Sequence, residues 1–122
     1  MFSVDHEKTG DVAVLQCSGR FVRGEAVFSL CDAVMSQSGA RIVVVDLTDV
    51  TFVDASGLGM FVYLHGWSRD HGMQMKLVNP TPFVRDVLER TRLTRIFDVS
   101  SMHDAVMILR SGDLHAARAM AS

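Results

Sequence analysis

The most apolar segment of the chain reads Ile42-Val43-Val44-Val45-Asp46-Leu47. Its β-branched residues favour a strand, and no polar residue interrupts them before Asp46. Such a run is typical of a strand that is covered on both faces, and strands of this kind are usually parallel and central in their sheet. Residues 57–71 then have helical character, and residues 75–78 are again β-prone. This order of strand, helix and strand predicts a right-handed parallel crossover.

The segments before this unit predict two more strands and a helix. Residues 2–8 and 12–17 are β-prone and are separated by Thr9-Gly10-Asp11, which favours an antiparallel hairpin. Ser18-Gly19 is expected to end the second strand. Apolar residues at helical spacing then predict an amphipathic helix over residues 24–37.

The segments after the crossover predict three further elements. Thr81 is suited to cap a helix and Pro82 to begin it, and this helix is expected to end near Thr91. Residues 96–99 suggest a short strand, and Ser101 begins a last predicted helix. The whole pattern predicts one α/β domain over residues 1–111, with a C-terminal tail over 112–122. Its mixed sheet should have about four to five strands, with an antiparallel N-terminal hairpin, parallel central strands and about four helices.

Composition narrows the class of protein. The 122 residues are 48% hydrophobic and 21% charged, with a formal net charge of −2. This balance argues against nucleic acid or an anionic membrane surface as a partner, because such binders usually carry a basic face. No apolar run is long enough to cross a bilayer, and the N-terminus lacks the pattern of a signal peptide. Cys17 and Cys31 are interpreted as buried free thiols in a reducing compartment. The expected location is the cytoplasm.

The candidate functional residues follow the apolar strand. Ser56 stands where the N-cap of the second helix is expected, and a structural cap is the simplest interpretation. Gly57 and Gly59, however, each weaken a helix by about 1 kcal/mol relative to alanine. Two glycines in one first turn suggest that another group approaches the backbone closely.

The second predicted helix also carries more apolar residues than one buried stripe needs. Some of them should face outward, beside Ser56, as a contact surface for another protein. The candidates for this surface are Met60, Tyr63 and Trp67.

The segment Asp54-Ala55-Ser56-Gly57-Leu58-Gly59, preceded by Val44-Val45-Asp46-Leu47, resembles the signature of STAS domains, the anti-sigma factor antagonist family. The resemblance extends to the opening hairpin and to residues 76–79 and 95–98. It implies that Ser56 is phosphorylated by a partner anti-sigma factor of the GHKL-type serine kinase class. The unmodified antagonist would bind this kinase and free the sigma factor, and a separate serine phosphatase would reset the switch.

Further expectations follow from the same resemblance. Asp54 belongs to the switch motif, beside the phosphoacceptor. The chain itself is expected to be no enzyme, to need no cofactor, and to be a monomer or weak dimer. Two positions depart from the family pattern: Ala55 replaces a common serine, and Arg23 lies in a region where many members carry an acidic residue.

Other functions remain open or are disfavoured by the residues. The chief alternative is a STAS scaffold without phosphorylation, or a subunit of a stress-sensing or lipid-transport complex. A serine hydrolase would need a glycine where Asp54 stands, and no histidine can be assigned to Ser56. The five histidines lack metal-ligand spacing, and no glycine-rich phosphate loop with lysine is present.

Overall fold

The structure is a computed structural model that describes residues 1–37 and 39–97. Within these residues, four strands and three helices follow one another, and a short 3₁₀ helix comes after them. In order they are β1 (Ser3–Thr9), β2 (Val12–Phe21), α1 (Glu25–Met35), β3 (Ile42–Val53), α2 (Ala55–Asp70), β4 (Gln74–Val78), α3 (Pro82–Arg90) and the 3₁₀ helix Leu93–Arg95.

The four strands form one mixed sheet in the order β1-β2-β3-β4. β1 and β2 are antiparallel, whereas β2 with β3 and β3 with β4 are parallel. β3 therefore lies between two parallel neighbours, as its composition predicts. The predicted hairpin is confirmed, and Gly10 in its turn has a φ of 59°, a value that glycine adopts without steric cost.

Both faces of β3 are buried at its start. Val43, Val45 and Leu47 point to one face and join the main core with residues of the helices. Val44 points to the opposite face, yet only 2% of it is exposed, against 0% for Val45. The lack of alternating polar residues in this run therefore correctly predicts that both faces of the strand are buried.

Two strands are longer than the local sequence suggests. β3 continues past Leu47 to Val53, and β2 continues through Ser18-Gly19 to Phe21. The pairing of β2 with β3 shifts register between Gln16 and Ser18 and again beyond Gly19. Gly19 has a φ of 101° and lies so close to Met1 that a side chain would collide with the Met1 backbone. This glycine therefore permits an irregularity within the strand and does not end it.

The predictions for the helices hold to within a few residues until the C-terminal part. Thr81 caps α3 as expected, since its Oγ1 accepts a hydrogen bond from the Val84 amide at 3.4 Å. The predicted strand over 96–99 is wrong for its first two residues. Ile96 has helical backbone angles after the 3₁₀ helix, and Phe97 is buried with its ring edge against Phe61, at 6.3 Å between centroids. Phe97 is therefore buried by packing on α2 and not by strand pairing.

The remaining C-terminal predictions lie outside the described residues. These are the end of the predicted strand, the helix from Ser101 and the tail over 112–122.

Candidate functional site

Asp54, and not Ser56, caps α2. The backbone of Asp54 is extended, and its Oδ1 accepts a hydrogen bond from the Gly57 amide at 2.9 Å. The prediction that Ser56 is the N-cap is therefore wrong, because the side chain of an aspartate two residues earlier already accepts a hydrogen bond from a free N–H group of the first turn. Ser56 is the second residue of the helix and is exposed, and within the described residues its hydroxyl has no hydrogen-bond partner.

The carboxylate of Asp54 also binds the loop between β2 and α1. Its Oδ2 accepts a hydrogen bond from the Arg23 amide at 3.0 Å, across 31 positions of sequence. The Asp54 amide in turn donates to the Phe21 carbonyl at 3.4 Å. One side chain thus connects the end of β2, the loop before α1 and the first turn of α2. Sequence reasoning assigned Asp54 to the motif but missed this contact, because no local pattern pairs residues so far apart.

These hydrogen bonds keep the Asp54 carboxylate ionised. The amide of Arg23, and then the amide of Gly57, lower the pKa of Asp54 below its ordinary value. Donors that point at a carboxylate favour its charged form. The phosphoacceptor candidate Ser56 therefore follows a fixed negative charge by two residues.

The two glycines of the first turn have different environments. A side chain on Gly57 would collide with the Phe21 carbonyl and would lie 2.8 Å from the Phe21 ring and 3.0 Å from Val53 Cγ1. Gly57 therefore allows α2 to lie directly on the end of β2. Gly59 is exposed, and a side chain there would meet nothing within 4 Å. The close approach that the sequence suggested occurs at Gly57, and the approaching group belongs to the same chain.

The three predicted partner residues of α2 do not share one environment. Tyr63 is 55% exposed. Met60 and Trp67 are partly buried and pack against the core, and the Trp67 ring stacks on His71 at 4.0 Å between centroids. Of the three, only Tyr63 therefore projects mainly into solvent. Leu58, the remaining apolar residue of the motif, also packs partly against the core.

An exposed face runs along α2 from the candidate switch residue. Four exposed residues recur at intervals of three or four and therefore lie on one side of the helix. We call them the α2 outer face: Ser56, Gly59, Tyr63 and Gly66. Gly66, like Gly59, has open space where a side chain would be. The surface is recessed at Gly59 and Gly66, which have no side chains, and the Tyr63 side chain projects from it.

Other candidate chemistry is limited in the described part of the chain. Residues 1–37 and 39–97 contain no group of three or more histidine, cysteine, aspartate or glutamate side chains that could hold a metal ion. Burial, with a smaller effect of Asp46, raises the pKa of the Cys17 thiol to about 12, so it is unreactive at neutral pH. Cys31 is only partly buried, contrary to expectation. No helix among the described residues has the length and apolar composition needed to cross a bilayer.

Comparison with known proteins confirms the resemblance to STAS domains. The family model described as STAS domain matches residues 3–106. A STAS-domain-containing protein of Pseudomonas aeruginosa (strain UCBPP-PA14) is 35% identical over 60 residues, which are 49% of this chain and 59% of the relative. The matched segment thus spans less than two thirds of that relative.

Solved structures show the same fold at low sequence identity. An anti-sigma factor antagonist from Mycobacterium paratuberculosis superposes with a TM-score of 0.76 at 22% identity, covering 90% of this chain and 95% of that one. The anti-sigma factor antagonist SpoIIAA in its unphosphorylated form gives 0.73 at 19%, covering 89% and 97%. SpoIIAA of Bacillus in its phosphorylated form gives 0.67 at 18%, covering 88% and 99%.

Substitution of Gly57 and of Gly59 by alanine should change the free energy of unfolding in opposite directions. Gly57→Ala should lower the free energy of unfolding by about 1–3 kcal/mol, because the new methyl group would overlap the Phe21 carbonyl, which is backbone and cannot move aside. Gly59→Ala should raise it by up to about 1 kcal/mol through helix propensity alone. Urea unfolding of the two variants measures both effects. Similar changes at both positions would contradict the packing described for Gly57.

The Asp54 carboxylate should make stability depend on pH. Because its pKa is depressed in the folded protein, its contribution is present above the ordinary value of about 3.9 and is lost as pH falls through the folded-state pKa. Asp54→Asn keeps one acceptor but removes the charge. The variant should be less stable than the parent at pH 7, and the difference should shrink below about pH 4. Urea unfolding over a pH series tests this, and a difference that stays constant would refute it.

Proposed function

The chain belongs to the STAS domain family, and from this membership we propose that it is an anti-sigma factor antagonist. It binds a partner anti-sigma factor of the GHKL-type serine kinase class and is switched off by phosphorylation at Ser56. A serine phosphatase restores the unmodified form. Because these reactions use cytoplasmic ATP and regulate transcription, we place the protein in the cytoplasm, where it acts as a regulator and not as a catalyst.

The observation that carries this proposal is the state of the Ser56 hydroxyl. Ser56 lies in the first turn of α2 and is exposed. The helix is capped by Asp54, which accepts a hydrogen bond from the Gly57 amide, so the Ser56 hydroxyl is not used as the cap. A kinase can therefore reach the hydroxyl without disturbing the helix. The solved structures of SpoIIAA in unphosphorylated and phosphorylated forms, both similar in fold to this chain, support a modification that the fold tolerates.

Local electrostatics favour a change in binding over a change in fold. A phosphoryl group adds about −1.5 to −2 charges at neutral pH. The free N–H groups and partial positive charge of the α2 N-terminus offset part of this charge within the domain. A partner docked on the same surface would have to strip water from the phosphate, beside the ionised Asp54. Binding should therefore weaken while the fold persists.

The α2 outer face is the proposed docking surface. It begins at Ser56, so a partner that covers it necessarily covers the phosphoacceptor. Gly59 and Gly66 leave space for a partner backbone or a flat side chain, and Tyr63 offers a large amphipathic ring of the kind enriched in binding hot spots. Met60 and Trp67, also predicted as partner residues, would contribute mainly by supporting this face from below.

The switch is tested by incubating the domain with its kinase and ATP and locating the phosphate by mass spectrometry. We expect modification at Ser56, none in Ser56→Ala, and weaker kinase binding by the modified form. Ser56→Ala should bind constitutively and unfold much like the parent, since Asp54 provides the cap. Ser56→Asp should mimic the modified form only in part, because one carboxylate carries about half the charge.

The matched control for this experiment is Ser29→Ala, which removes an exposed serine of α1. It should be modified at Ser56 as efficiently as the parent. Phosphate at another residue, or none with a kinase that demonstrably binds, would reject the switch and favour the STAS scaffold or transport-complex subunit instead.

The docking surface is tested by Tyr63→Glu. The Tyr63 side chain is 55% exposed, so the substitution should leave stability within about 0.5 kcal/mol of the parent. Kinase binding, measured by calorimetry, should fall at least tenfold if Tyr63 is an interface residue. Phe83→Glu is the control, because Phe83 is an exposed aromatic on α3. Equal binding by the parent and Tyr63→Glu would show that the surface lies elsewhere.

A further inference from the structure

Arg23 lies on the loop that Asp54 ties to the first turn of α2, the turn that carries Ser56. Its backbone amide is fixed on Asp54 Oδ2 at 3.0 Å, while the other oxygen of the same carboxylate holds the Gly57 amide at 2.9 Å. The loop that carries Arg23 and the turn that carries Ser56 are therefore joined through one side chain. Arg23 is exposed, and within the described residues its guanidinium forms no ion pair.

The charges around this position are mostly acidic in the unmodified protein. Asp54 is ionised, and Glu25 lies in the first turn of α1, two residues after Arg23. The Asp54 oxygens are already bonded to backbone amides, so Arg23 is not needed to neutralise them. A phosphate on Ser56 would add up to two further negative charges to the same small region.

The other arginines near the sheet are engaged or distant. Arg20 lies over the Phe52 ring at 4.9 Å from its centroid. Arg41 faces Asp11 at 3.8 Å and precedes the start of β3, at the opposite end of that strand from the first turn of α2. Arg69 is in the last turn of α2. Among the described residues, Arg23 is the cation carried by the loop that Asp54 ties to the first turn of α2.

We propose that the guanidinium of Arg23 is the internal counter-ion of phosphoserine at position 56. Its planar donors match phosphate oxygens in paired hydrogen bonds, which a point charge cannot reproduce. Because the Arg23 backbone is already held by Asp54, less conformational freedom is lost when the side chain closes on the phosphate. This inference rests on the proposed modification at Ser56 and adds a consequence to it. Modification places a phosphate on the surface and also occupies the Arg23 side chain that the unmodified protein exposes.

The test installs phosphoserine at position 56 during translation, so that no kinase is required, and follows the phosphate by ³¹P NMR titration. A nearby cation stabilises the dianion and lowers the second pKa of the phosphate, ordinarily about 6. Arg23→Gln should therefore raise this pKa by about half a pH unit, the size expected of an exposed ion pair. Arg23→Gln retains the backbone amide on Asp54, so the fold of the loop is preserved.

Two further variants make the result specific. Arg23→Lys should keep part of the effect, since it retains the charge but not the planar donors. Arg41→Gln should leave the phosphate pKa unchanged, because Arg41 lies at the far end of β3. Equal pKa values in the parent, Arg23→Gln and Arg41→Gln would overturn the counter-ion role. That result would leave the proposed switch intact, whereas failure of the kinase to modify Ser56 would leave the titration result standing.

Discussion

The carboxylate of Asp54 holds three separate parts of the chain in one arrangement. It caps α2 through the Gly57 amide, binds the loop before α1 through the Arg23 amide, and directly follows the last residue of the central strand. Gly57 completes this arrangement, because only a residue without a side chain lets the helix lie on the Phe21 carbonyl. The position of the candidate switch residue relative to the sheet depends on these two contacts.

The capping role of Asp54 explains how an exposed serine can be kept available in the first turn of a helix. Serine hydroxyls in such turns commonly accept backbone N–H groups. Here a stronger, charged acceptor two residues earlier takes that position, and the hydroxyl of Ser56 stays free for chemistry. The same arrangement separates the two sides of α2. Gly57, Phe61 and Leu64 face the core. The α2 outer face begins at Ser56 on the other side of the helix, and its two glycines have open space where a side chain would be.

The site balances opposing electrostatic effects over a short distance. The helix N-terminus favours added negative charge, whereas the ionised Asp54 disfavours it. Neither effect is large at an exposed position, where water screens charges well. An exposed arginine on an anchored loop can tip such a balance at little structural cost, because its side chain can turn toward added charge without movement of the backbone.

Local sequence determined the architecture and the identity of the motif. The unbroken run over 42–47 specified a strand buried on both faces, the turn at Gly10 specified the hairpin, and the glycines after Asp54 marked an unusual helix start. Each of these signals depends on residues that are neighbours in sequence, where steric preference and periodicity act directly.

Tertiary structure decided the features that depend on distant partners. Pairing with β3 carried β2 past Gly19, and packing on Phe61 kept Phe97 out of a strand. Hydrogen bonds to Gly57 and Arg23 made Asp54 the cap, and burial against the core left Tyr63, but not Met60 or Trp67, facing solvent. Local propensities differ by about 1 kcal/mol or less, so a long-range hydrogen bond or one buried ring is enough to override them.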